Sequence, residues 1–242
     1  MLIPPPLEKP LLLSQVLLRS LGTQILLYYG DRIPAGGPIL FISNHRSFMD
    51  ALLLMVVADR SIHFACHPYM TQVPILRDVI EQLGCLPLSS QPEQNFFQRA
   101  SLLLQNSQAV GIFPEGAPSM INPPKPSQVG TFERGFAHLA LRLPLPELQI
   151  VPVAIAALEE TCYSVLPLKC FSWFDPSEPM FKQEGWHPLI IYQRVSLLVG
   201  SPWSISPSVR ASYQGRTAIR IAAELSEQCQ TQIQDLLQEG YY

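Results

Sequence analysis

Ser43-Asn44-His45-Arg46-Ser47-Phe48-Met49-Asp50 joins two apolar segments and holds the densest group of reactive side chains in the chain. Upstream, Ile39-Leu40-Phe41-Ile42 reads as a buried strand; downstream, Ala51 to Ala58 is apolar, free of Gly and Pro, and reads as a helix. Ser47 and Asp50 have capping-box spacing, which makes Ser47 an N-cap and places Asp50 in the first helical turn. His45 then lies in the loop just before the helix. There the Asp50 carboxylate can hold one imidazole nitrogen and leave the other to take a proton. A base with an orienting acid is half of a catalytic triad. No serine nucleophile accompanies the pair, so the hydroxyl to be activated can belong to a substrate. The same residues also read as ordinary helix-start and loop-end groups, and spacing alone does not separate the two readings.

A second cluster favours the chemical reading. Gly111-Ile112-Phe113-Pro114-Glu115-Gly116 is again an apolar strand that runs into a turn with a carboxylate and a glycine. In open α/β sheets sites gather at the carboxyl ends of strands, where two such turns can converge. Apolar runs at 24–29, 39–42, 61–65, 85–88, 109–113, 149–156 and 194–199 read as strands. Helical patterns at 11–21, 51–58, 74–83, 93–107, 132–141 and 209–237 lie between and around them. Strands alternating with helices indicate an α/β fold with a mostly parallel central sheet flanked by helices. Pro87 marks 85–88 as an edge or a strand end. The loop 117–130 is long for a compact domain, which points to a functional role. The aromatic and proline-rich stretch 158–188 gives no periodicity to read.

With 242 residues, the chain has room for one large domain or one domain with an appendage. At 48% hydrophobic and 14% charged it can fill a core. A formal net charge of -3, with no basic run carrying interleaved aromatics, argues against a nucleic-acid partner. Any membrane affinity must therefore come mainly from apolar surface. Cys66, Cys85, Cys162, Cys170 and Cys229 are odd in number, without CxxC spacing, and read as reduced, mostly buried structural thiols. His63 and His67 are four apart, but Pro68 makes that segment a strand or turn, and no HExxH occurs; no metal site is expected. Residues 1–23 read as a proline-rich arm and an apolar helix that packs on the domain or lies in a bilayer interface. The start lacks the basic region of a secretory signal, and no clean apolar span is long enough to cross a membrane.

Asn44-His45-Arg46-Ser47-Phe48-Met49-Asp50 resembles the NHxxxxD motif of the glycerolipid acyltransferases, the PlsC-like lysophosphatidate acyltransferase family. Phe113-Pro114-Glu115-Gly116-Ala117-Pro118-Ser119 is similar to that family's FPEGTRS block, Phe132-Glu133-Arg134-Gly135 to its F-x-x-G step, and Val151-Pro152-Val153 to its VPV strand. The order and spacing of the four motifs agree with the family from about residue 24 to 200, most of the chain, and the resemblance identifies residues 24–242 as a single acyltransferase domain. It implies transfer of a fatty acyl group from acyl carrier protein or coenzyme A to a glycerolipid hydroxyl, by default that of 1-acylglycerol-3-phosphate. His45 would be the general base and Asp50 would hold its tautomer, with no cofactor beyond the donor thioester and no covalent acyl-enzyme. A thioester is already activated, so base catalysis and positioning suffice. Glu115 and Gly116 would shape the acceptor site and Pro152 the acyl site. Asn44, Ser47, Phe113, Pro114 and Ser119 would contact substrate as members of the matched motifs. The implied location is the cytoplasmic side of a membrane, peripherally bound.

The departures from the pattern concern cations. Ala117-Pro118 stand where the family has Thr-Arg, Cys85-Leu86-Pro87-Leu88-Ser89-Ser90 lacks its Asp-Arg, and His67 or a close neighbour takes the place of a usual lysine, which makes His67 a substrate-binding candidate. Arginine gives phosphate bidentate contacts that Ser or Pro cannot replace. Either Arg46, Lys125 or Arg134 takes over, or the acceptor is an uncharged alcohol such as a diacylglycerol. A thioesterase using water as acceptor, and a lipid-binding protein on the same fold, are the remaining alternatives. No G-x-S-x-G elbow, G-x-G-x-x-G or P-loop is present.

Overall fold

The computed structural model describes residues 9–88, 94–173, 176 and 179–241. The proline-rich start as far as Glu8, together with Ser89, Ser90 and Glu93, lies outside the described residues. Helix α1 (Lys9–Ser20) leads to β1 (Gln24–Tyr28), β2 (Ile39–Ser43), α2 (Met49–Ala58), β3 (Ile62–Cys66), α3 (Pro74–Gln82) and β4 (Leu86–Pro87). Then follow α4 (Gln94–Gln105), β5 (Ala109–Ile112), α5 (Pro118–Ile121), α6 (Gly135–Arg142), β6 (Gln149–Pro167) and α7 (Leu168–Phe171). The chain closes with β7 (Trp186–Val199), α8 (Pro207–Ser212) and α9 (Gly215–Glu239).

Among the described residues seven strands form one sheet in the order β1-β7-β6-β2-β5-β3-β4. Every pairing is parallel except β6 with β7. The short β4 with its proline is the edge strand, where a missing N–H costs the ladder least. Consecutive residues of β2 divide between two cores: Ile39 and Phe41 pack with α1 and α2, and Leu40 and Ile42 with α4, α6 and α9. A strand covered on both faces carries no polar alternation, and this is why it reads as an unbroken apolar run. Trimming Phe41 to Ala would remove about 3–5 kcal/mol of stability by opening a cavity between these layers.

Crossovers leave β2 and β5 toward opposite edges of the sheet. From β2 the chain passes through α2 to β3, and from β5 it passes through α6 to β6. The carboxyl ends of these two adjacent strands are therefore the switch point, where an open α/β sheet leaves a crevice. Helix α1 buries Leu11, Ser14 and Leu18, and the Ser14 hydroxyl meets Met55 Sδ on α2 at 3.4 Å. Its other side exposes Leu12 (48%) and Val16 (53%).

Several elements depart from the sequence reading. β6 runs on past its expected end, and with β7 it makes a long antiparallel hairpin through the unreadable stretch 158–188. Register shifts at Ala157/Glu159, Glu159/Glu160 and Ser164/Leu166 break the strand period there. The loop 117–130 contains the single turn α5. The expected last helix is two, because Gln214 is extended and Gly215 takes φ +50. Of the five free thiols only Cys229 is fully buried, and Cys162 is exposed, so the expectation of mostly buried cysteines is not met.

Candidate active site

β2 ends at Ser43, and the next residues form the loop that carries His45. The loop is fixed from below by Asn44, whose side-chain amide donates to Ile155 O (2.9 Å) and accepts from Ile155 N (2.8 Å). Asn44 thus acts as a backbone rung that prolongs the pairing of β2 with β6 where the chain itself turns away. At the helix start, Ser47 Oγ accepts from Met49 N (3.1 Å) and donates to Ile190 O on β7 (2.7 Å). Asp50 Oδ2 accepts from Ser47 N (2.9 Å), which is one half of the expected capping box. The other half is not made, because Asp50 N donates to the Ser47 carbonyl (3.1 Å) and the helix is capped one residue later, at Phe48.

Asp50 is 1% exposed and fully engaged. Its Oδ2 also accepts from Arg46 N (2.8 Å) and stands 2.8 Å from His45 Nδ1, while Oδ1 accepts from Tyr192 Oη (2.9 Å). His45 therefore carries its proton toward Asp50, and Nε2 makes no hydrogen bond among the described residues. Its side chain is 15% exposed, so the imidazole is not sealed from solvent. The imidazole lies on Phe113, with ring centroids 4.1 Å apart and planes 9° from parallel. Phe113 in turn stacks on Phe64 of β3 at 5.2 Å.

The turn after β5 meets the turn after β2 through a carboxylate. Glu115 Oε1 accepts from His45 N and Oε2 from Gly130 N, both at 2.9 Å. Burial raises the Glu115 pKa, and the two N–H donors and His45 act against that rise without cancelling it. Gly116 closes the turn with φ +68, a conformation that favours glycine, and its N–H returns to Phe113 O at 3.1 Å. A Cβ on Gly130 would stand 2.5 Å from Glu115 Oε2, so a side chain there would push the carboxylate off its N–H donors.

Other expected residues have different surroundings. Arg46 is buried, and Nη2 meets Glu160 Oε1 at 2.8 Å while Nη1 meets Oε2 at 2.5 Å. Its Nε donates to Pro124 O at 2.9 Å. Burial would lower the Arg46 pKa, but the Glu160 carboxylate outweighs this and raises it. Ser119 turns its hydroxyl inward to Gly116 O (2.7 Å). The Pro114 carbonyl accepts from Glu133 N (2.8 Å), which anchors the F-x-x-G step to the turn. Pro152 is buried in β6 opposite Ile42 and accepts from Gly200 N at 2.8 Å. His67 follows β3 at the same edge of the sheet, where Nδ1 accepts from Tyr69 N at 3.4 Å. Lys125 and Arg134 are exposed, Arg134 at the start of α6. Among the described residues no group of three or more His, Cys, Asp or Glu is placed to hold a metal ion.

Sequence reading did not single out Tyr192, Glu160 or Gly130. Glu160 and Tyr192 are cross-strand neighbours on the hairpin, and one grips Arg46 while the other grips Asp50. Both belong to or adjoin the stretch whose periodicity is lost.

A family model described as Acyltransferase matches residues 25–156. No curated protein matches the chain. Among solved structures, the 1-acyl-sn-glycerophosphate (LPA) acyltransferase PlsC from Thermotoga maritima has a similar fold, with a TM-score of 0.59 and 15% identity. The similarity covers 95% of this chain and 79% of that one. The family match holds His45, Asp50, Glu115 and Pro152 and ends before Glu160 and Tyr192.

Proposed function

The chain belongs to the acyltransferase family, and from that premise we propose that it transfers a fatty acyl group from a thioester to the hydroxyl of a glycerolipid. The carrying observation is the His45–Asp50 pair at 2.8 Å, with Nε2 left unpartnered among the described residues. The acceptor hydroxyl gives its proton to Nε2 as its oxygen attacks the thioester carbonyl. The tetrahedral intermediate then expels the thiolate, which takes that proton back from the imidazolium. Asp50 supports the imidazolium throughout. The donor is acyl carrier protein or coenzyme A carrying the chain, and the default acceptor is 1-acylglycerol-3-phosphate, giving phosphatidate.

One observation favours a second acceptor. Arg46, the cation nearest the base in sequence, is already neutralised by Glu160, which supports an uncharged alcohol such as a diacylglycerol. Peripheral binding at the cytoplasmic face of a membrane belongs to the same proposal. It is supported by the exposed Leu12 and Val16 of α1 and by Trp173 near the hairpin tip, 83% exposed. No helix among the described residues is long and apolar enough to cross a membrane.

The test is purified protein with a labelled long-chain acyl thioester, offered lysophosphatidate, diacylglycerol or no acceptor. Labelled phosphatidate supports the default, and label in neutral lipid alone supports the second acceptor. Free acid in all three tubes alike identifies a thioesterase. Lipid binding without turnover identifies a binding protein on the same fold.

A further inference from the structure

We propose that Tyr192 is a positioning residue of the His45–Asp50 pair, its hydroxyl holding the Asp50 carboxylate in the orientation that orients the base. This rests on the base-catalysed transfer above. The Tyr192 side chain is buried in the core between the sheet and α2, where Phe would fill nearly the same space. A buried hydroxyl is costly unless bonded, so its presence calls for a partner. That partner is Asp50 Oδ1 at 2.9 Å, an oxygen to which the described residues offer no other hydrogen bond. Oδ2 is held by the N–H groups of Arg46 and Ser47 and faces His45 Nδ1. A carboxylate turns about Cβ–Cγ and carries both oxygens with it, so the bond on Oδ1 resists the same rotation that would take Oδ2 away from His45.

The tyrosine is itself held through its backbone. Its N–H faces Met49 Sδ at 3.3 Å, its carbonyl accepts from Thr23 Oγ1 at 3.0 Å, and it stands across the ladder from Glu160. Burial, followed by the charge of Asp50, holds its pKa well above the ordinary tyrosine value, so it stays a donor across the working range. The charged and titratable groups around the pair are Arg46 on the loop, Glu115 after β5, Glu160 on β6 and Tyr241 beyond α9. None of these except Arg46, through its backbone N–H, donates to Asp50.

The experiment is Tyr192→Phe, with kcat and KM followed across pH and folding checked by thermal melting. Loss of one bond to a charged group should lower kcat about ten- to a hundredfold and leave KM nearly unchanged. Losing the donor also leaves more of the Asp50 charge to support the imidazolium, so the acidic limb of the kcat/KM profile should move to higher pH. A ring-fluorinated tyrosine at 192, a stronger donor of nearly the same shape, should move that limb the other way. A Tyr192→Phe protein with the wild-type profile overturns the proposal, as does lost activity that follows melting with no movement of the limb. His45→Ala runs in parallel. If it turns over normally, the base reading itself has failed; if it is inert while Tyr192→Phe is unaltered, only the role of Tyr192 has.

Discussion

The imidazole of His45 lies flat on the ring of Phe113, 4.1 Å between centroids and 9° between planes. The contact joins the turn after β2 to the turn after β5, and with Asp50 it fixes the ring in two directions. A stacked aromatic pair contributes about 0.5–1.5 kcal/mol beyond its buried area. Phe113→Leu keeps apolar volume and removes the stack. Single-turnover rates should fall about threefold to tenfold, with substrate affinity unchanged. An unaltered rate would mean that Asp50 alone orients the base.

His45→Ala should lower kcat by about 10²–10⁴-fold with an unchanged circular-dichroism spectrum. Asp50→Asn should be similarly slow but also less stable, by about 1–3 kcal/mol, because an amide offers one oxygen where the carboxylate takes four hydrogen bonds. Denaturant melts separate the two variants.

Glu115 gives a pH signature of stability. Burial raises its folded-state pKa above the unfolded value. The folded state therefore binds the proton more tightly, and this contribution to stability is present below the unfolded pKa and lost as pH rises through the folded one. Relative to Glu115→Gln, whose side chain does not titrate, the wild type should gain in melting temperature as pH falls from neutrality toward the ordinary carboxylate range. A constant difference across pH would show that the raised value is not felt in folding.

Glu160→Gln tests whether the hairpin withholds Arg46 from an anionic acceptor. With the carboxylate replaced, the KM for lysophosphatidate should fall about tenfold, the equivalent of ~1.4 kcal/mol. The KM for diacylglycerol should stay as it was. Equal KM values in variant and wild type for both acceptors would remove Arg46 from consideration as a phosphate anchor.

Leu12→Asp combined with Val16→Asp leaves the buried side of α1, with Leu11, Ser14 and Leu18, untouched. Sedimentation with lipid vesicles should drop by about tenfold or more, since each apolar side chain withdrawn from water is worth about 1.5–3 kcal/mol. Binding equal to wild type would assign membrane contact to another surface.

The sequence by itself determined the local units of this protein. The apolar run of β2, the Ser47–Asp50 hydrogen bond at the helix start and the loop histidine are set by residues within a dozen positions, and periodicity and local hydrogen bonding act over that range. The pairing of His45 with Asp50 was legible for the same reason, since only five residues separate them. Only the tertiary structure decided which strand ends meet. The bond from His45 N to Glu115 spans 70 residues, that from Arg46 to Glu160 spans 114, and that from Tyr192 to Asp50 spans 142. These depend on β2 lying between β5 and β6, and on a bulged hairpin whose broken alternation hides it from any periodic reading. A hydrogen bond across that distance leaves no local pattern, because neither partner's neighbours need change to make it.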